Sequence, residues 1–76
     1  MEIFSERLKF LRDLKGLSQR DLSKATGLSQ AAIVHWENND RVPSATAVVK
    51  LAKFFGVSTD YLLGMTAILK FHGEDS

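Results

Sequence analysis

The apolar positions of this 76-residue chain recur at three- and four-residue intervals, and serine or glycine interrupts them every eight to fifteen residues. Phe4, Leu8, Leu11 and Leu14 form one apolar stripe and predict a helix from about Ser5 to Lys15, stopped at Gly16. Ser18-Gln19-Arg20-Asp21 has the form of a capping box with Asp in place of Glu, so a second helix starts there. Leu22 and Ala25 give its inner side, and Thr26-Gly27 its end. Ser29 caps a third helix carrying Ile33 and Trp36 three apart. Pro43-Ser44 opens a fourth, with Ala45, Val48, Leu51, Ala52 and Phe55 along one face and Gly56 as its stop. Ser58 caps a short fifth helix, Thr59 to Leu63, closed by Gly64. The pattern predicts an all-α fold of five short helices, with residues 1–64 forming one domain and residues 65–76 a C-terminal tail.

In that tail Met65, Ala67, Leu69 and Phe71 alternate with Thr66, Ile68, Lys70 and His72. The alternation hints at a short strand, although a helical continuation or a frayed end fits the same residues. A ribbon formed by two copies would bury the apolar set. Gly73-Glu74-Asp75-Ser76 is expected to be disordered.

The most informative spacing lies between the second and third helices, which only Gly27, Leu28 and Ser29 separate. Two helices of about eight residues joined by a short glycine-containing turn form a helix-turn-helix. Leu22, Leu28, Ile33 and Trp36 are placed to knit them together, and Ser23 is small enough for a close crossing. The third helix then turns Gln30, Ala31, Val34, His35 and Asn38 outward, a face that fits the major groove of DNA.

Composition adjusts this picture without overturning it. The net charge is only +1, but residues 1–53 hold nine Lys/Arg against six Asp/Glu, or +3, and residues 54–76 hold one against three, or −2. There is no cysteine, so disulfides and thiolate chemistry are excluded. No apolar run is long enough to cross a membrane, and the N-terminus lacks the apolar core of a signal peptide. A cytoplasmic protein is expected. His35 and Glu37 stand two apart on a helix and face different ways, so no catalytic arrangement forms. His35 and His72 lack companion ligands for zinc, and no phosphate-binding glycine loop is present. Neither enzymatic activity nor a cofactor or metal is expected.

The residues then show a resemblance. Gly16-Leu17-Ser18-Gln19, Leu22-Ser23, Gly27-Leu28-Ser29, Ile33, Trp36-Glu37-Asn38, Pro43-Ser44, Leu51-Ala52 and the run from Gly56 to Gly64 stand in order, with every spacer intact. Over residues 5–64 the chain resembles the phage-repressor-like (XRE, or Cro and repressor type) helix-turn-helix regulators. The resemblance implies a lambda-repressor-like domain that binds double-stranded DNA as a homodimer on a near-palindromic operator and acts as a repressor. It implies a phosphate contact from Gln19, base reading by Gln30, and methyl contacts from Ala31 and Ala32. Ser29 and Val34 border that surface, and His35 reaches a base or a phosphate. Asn38 and Arg41 would grip the backbone beyond the reading helix. Arg12 and Glu37 would form an ion pair tying the first helix to the end of the third.

Three departures qualify it. Asn39 replaces the family's usual glycine after Glu37-Asn38, and asparagine is the next best residue for a left-handed turn. Ser23 and Thr26 occupy positions usually held by alanine and an apolar residue, so slightly looser packing is expected. The third helix has no Arg or Lys, which removes its bidentate guanine contact and suggests an A/T-leaning site. The rival reading is an antitoxin with the same fold whose main partner is a toxin protein, met through Phe10, Val34, Phe54 or the tail. Longer relatives carry a further C-terminal domain, so the chain is either a small regulator or the DNA-binding portion of one.

Overall fold

The computed structural model describes residues 1–71. Five helices follow one another: α1 (Glu2–Leu14), α2 (Gln19–Thr26), α3 (Gln30–Glu37), α4 (Ala45–Phe55) and α5 (Thr59–Leu63). No strand occurs among the described residues. The expected all-α, five-helix architecture is therefore present.

Four of the helices start in the same way. The hydroxyls of Ser18, Ser29, Ser44 and Ser58 accept from the backbone N–H groups of Asp21, Ala32, Ala47 and Tyr61, each three residues on. Each serine satisfies one of the amides that a helix N-terminus leaves without a partner. α1 lacks such a cap and begins at Glu2, three residues earlier than the stripe of leucines suggested. Glu2 lies in its first turn, where an acidic side chain favours the positive end of the helix dipole.

The core is continuous across all five helices. Phe4, Leu8 and Leu11 of α1 meet Leu22, Ile33, Leu51 and Leu62, all essentially without solvent exposure. Burying each such side chain contributes on the order of 1.5–3 kcal/mol before entropy is counted. Trp36 stands edge-on to Phe4, with ring centroids 6.2 Å apart. Ser5, buried among these residues, donates its hydroxyl to the carbonyl of Trp36 and so ties α1 to the last turn of α3.

Three positions expected inside lie outside. Leu14 is 57% exposed, because it falls about 120° round the helix from Leu8 at ~100° per residue. Ala25 and Ala45 are also exposed. Ala25 lines an open groove with Thr26, Lys50, Lys53 and Phe54, and Ala45 stands in the first turn of α4 before its buried face is established.

Residues 65–71 form neither the strand nor the helix considered for them. A strand needs a partner for its ladder, and none lies beside this segment in the single chain. The segment is instead fastened at its start. Met65 N–H donates to Asp60 O (2.8 Å), and Arg7 donates to the carbonyls of Tyr61 and Thr66, the latter at 2.7 Å. The disorder expected for residues 73–76, and His72, lie outside the described residues.

Candidate nucleic-acid interface

The arrangement of α2 and α3 follows from the chemistry of their ends. At the start of α2 the capping box is complete: Ser18 Oγ accepts from Asp21 N–H (2.9 Å), and Asp21 Oδ2 accepts from Ser18 N–H (3.1 Å). The bond from the Ser18 backbone, then that from its hydroxyl, holds the Asp21 carboxyl below its ordinary pKa. At the other end Gly27 takes a left-handed conformation (φ 78°) that reverses the chain within the turn. Ser23 donates to Leu28 O (2.6 Å), and Thr26 Oγ1 donates to Leu22 O while accepting from Leu28 N–H. The expectation that Ser23 and Thr26 loosen this junction is therefore corrected: their hydroxyls bond the backbone on both sides of the bend.

The crossing of α2 and α3 is fixed from beneath by Glu37, whose side chain is 2% exposed. Its carboxylate accepts from Arg12 Nε (2.6 Å) and Arg12 Nη2 (2.9 Å), the expected pair, in bidentate geometry. It also accepts from Gln19 Nε2 (3.1 Å), so one carboxylate joins α1, α2 and α3. The bond to Glu37 raises the pKa of Arg12 against an opposing effect of burial, so the guanidinium stays charged at any working pH. Neither the Gln19 contact nor its geometry was legible from spacing. It uses one of the two N–H groups of that amide, and leaves the second available.

With Ile33, Trp36 and Glu37 turned inward, α3 presents its other side to solvent. Gln30 and Ala31 are exposed at its N-terminal end, and Val34 and His35 are half-buried one turn on. Asn38 and Arg41 are exposed beyond its C-terminus. Two of the candidate residues differ from the simple outward picture. Ala32 is half-buried and rests against the core, and the hydroxyl of Ser29 is engaged as the helix cap. The loop after α3 turns through Asn39, which takes the expected left-handed conformation (φ 60°). That turn returns Asp40 to His35, with His35 Nδ1 2.7 Å from Asp40 Oδ1. The pair was not foreseen, since nothing short of the turn geometry brings residues five apart together past a helix end.

Trp36 is inward as expected, and its indole N–H is buried with no hydrogen-bond partner. No group of His, Asp or Glu among the described residues is arranged to hold a metal ion. No helix among them is long and apolar enough to cross a membrane.

Two capped helices at a fixed crossing, with one side of the second free of the core, define a DNA-binding helix-turn-helix domain. The helix-turn-helix family profile matches residues 8–62. Among curated proteins the chain is 40% identical over 63 residues to the repressor protein CI of Enterobacteria phage phi80, a match covering 83% of this chain and 26% of that protein. It is 41% identical over 54 residues to an uncharacterized HTH-type transcriptional regulator of Methanocaldococcus jannaschii, covering 71% of this chain and 82% of that one. Among solved structures the restriction-modification controller protein C.AhdI from Aeromonas hydrophila superposes with a TM-score of 0.73 at 33% identity. That match covers 80% of this chain and 92% of C.AhdI. The chain belongs to the helix-turn-helix family of DNA-binding transcriptional regulators, in its XRE, phage-repressor-like branch. It spans about a quarter of the phage repressor's length and most of the archaeal regulator's.

Proposed function

We propose that the protein is a transcriptional repressor that binds a near-palindromic operator as a homodimer and acts by occupying promoter DNA. The observation that carries this reading is the outward side of α3, with Gln30 exposed at its start and the helix crossing held by Glu37. In this reading Gln30 bonds adenine bidentately, and Ala31 and Val34 offer apolar contact to thymine methyls, while Ala32, packed against the core, backs that surface. His35 meets a base edge one turn on. Gln19 and the Ser29 end of α3 lie at helix N-termini, where backbone amides attract phosphate, and Asn38 and Arg41 hold the strand beyond.

Dimerisation through α5 and the tail is supported by the exposed apolar side chains of the tail and by a groove beside α5. Met65, Ile68, Leu69 and Phe71 are exposed, and an apolar groove of about 400 Å³ runs between Pro43, Val48, Val49 and Leu63 beside α5. Two reading helices related by such an axis would enter successive major grooves roughly 34 Å apart.

Two measurements decide the matter. Binding to operator fragments selected from a random pool should weaken steeply with salt, since phosphate contacts release counterions. Gln30→Ala should cost about 1–3 kcal/mol at one operator position and little on random DNA. Equal weakening on both would remove the base-reading role. The antitoxin alternative rests on Phe10, a large apolar side chain 48% exposed on α1. Capture of a toxin-like protein by wild type but not by Phe10→Ser would favour it.

A further inference from the structure

Asp40 lies outside every DNA-contact position assigned above, yet its side chain meets one of them, His35. The chain leaves α3 at Glu37, and Asn39 reverses its direction in the left-handed conformation. Asp40 N–H then donates to His35 O (3.0 Å), and the Asp40 carboxylate comes within 2.7 Å of His35 Nδ1. The two residues are thus joined twice, once through the backbone and once through side chains.

An ionised carboxylate only accepts hydrogen bonds, so the proton between the two atoms belongs to Nδ1. A neutral imidazole carries a single N–H, and when Nδ1 has it, Nε2 is left as a bare acceptor. The His35 side chain is 41% exposed, on the side of α3 that also carries Gln30 and Ala31. In the major groove, adenine N6 and cytosine N4 offer hydrogen-bond donors, whereas guanine and thymine offer acceptors at the corresponding edge. A bare Nε2 complements the first pair and repels the second.

We propose that Asp40 is a positioning residue for DNA recognition: it holds His35 as the Nδ1–H tautomer, so that Nε2 selects a base with an amino group on its major-groove edge, adenine or cytosine. The inference rests on α3 entering the major groove, as proposed above. It makes base preference at one operator position depend on a loop residue that meets no base itself.

The first half is tested on the free protein, without DNA. A ¹⁵N-correlated imidazole spectrum, taken at a pH where it shows a neutral ring, should find His35 protonated at Nδ1. Asp40→Ala should release it toward the Nε2–H form, and Asp40→Asn, which retains an accepting oxygen, should give an intermediate mixture. The second half is tested by selecting bound DNA from a random pool at that pH. Wild type should prefer adenine or cytosine at one position per half-site, and Asp40→Ala should reduce that preference roughly three- to tenfold, the span of one net hydrogen bond. The position read by Gln30 should not change. In a His35→Ala background Asp40→Ala should have no further effect on base preference, which a merely structural role for Asp40 would not produce. A wild-type ring protonated at Nε2, or a base preference unmoved by Asp40→Ala, overturns the proposal. Absence of any base preference in wild type would instead bring down the operator reading, and this proposal with it, whatever tautomer the free protein shows.

Discussion

The helix-turn-helix and the exit from α5 are both moored to α1, by opposite chemistry. Under α2 and α3 the mooring is a buried anion: Glu37 receives two bonds from Arg12 and one from Gln19, all from side chains with fixed forks and planes. At the exit from α5 it is a cation. Arg7 donates to the carbonyls of Tyr61 and Thr66 and lies 4.3 Å above the Tyr61 ring centroid. A carboxylate that must be matched by particular side chains specifies both partners and their geometry. Carbonyl oxygens come with every residue, so the second mooring leaves the sequence beyond α5 freer to vary. The molecule is exacting where the helix crossing matters and permissive where the chain leaves the domain.

The difference should appear most strongly when each mooring is cut. Glu37→Ala removes the bidentate partner of Arg12, whose side chain is only 14% exposed, leaving it Leu17 O and the Asp13 carboxylate at 3.4 Å, and should cost about 3 kcal/mol in thermal or denaturant unfolding. For a domain of this size that lowers Tm by well over 10 °C. A loss below about 1 kcal/mol would mean that the crossing is held by packing alone.

Two of the left-handed glycines sharpen the contrast. Gly27 (φ 78°) has open space where a Cβ would stand, so Gly27→Ala carries only backbone strain, about 1 kcal/mol. Gly64 (φ 80°) has nearly the same conformation, but a Cβ there would lie 2.8 Å from Ile3 Cγ2. Gly64→Ala should be the more damaging of the two, and adding Ile3→Ala should recover the excess while leaving the strain. Equal costs for the two glycine variants would show that Ile3 moves aside freely.

Arg7→Met should have a smaller and more local effect, about 1 kcal/mol. Hydrogen exchange should quicken at Met65 N–H, which bonds Asp60 O, and stay unchanged at Gly27 and Ala32. The smallest effect is expected from the capping box of α2. Because folding lowers the pKa of Asp21, its contribution is present above the ordinary aspartate value near 3.8 and is lost as pH falls through the lower folded value. Asp21→Asn should therefore lower stability slightly at neutral pH and converge with wild type in acid, which flattens the acid limb of the stability profile. An unchanged acid limb would assign the shift no thermodynamic weight.

Much of the recognition unit could be read from local pattern, because local chemistry makes it. Serine caps, the glycine turn, the inward course of Ile33 and Trp36, the left-handed Asn39 and the Arg12–Glu37 pair all follow from short spacings and from the family likeness. The family likeness also implies a base-reading role for Gln30, which the structure leaves exposed. What pattern missed was set by three-dimensional closure. Gln19 meets Glu37 across eighteen positions, His35 meets Asp40 only after a reversal, and Ala25 is exposed because α4 leaves a groove beside it. Leu14 continues the three- and four-residue spacing of Phe4, Leu8 and Leu11, but it lies outside the arc of the helix that those three bury. In residues 65–71 the alternation described side chains correctly but could not supply a neighbouring strand.

The division of α3 into two sides has an evolutionary consequence. Ile33, Trp36 and Glu37 maintain the domain, while Gln30, Ala31, Val34 and His35 sit at or near solvent, apart from the buried cluster. If the second set reads DNA as proposed, mutations there change what is recognised at little expense to folding, and selection sees them chiefly through the DNA. A lineage built on this scaffold can acquire new target sites by drift on four codons, without first passing through a destabilised intermediate.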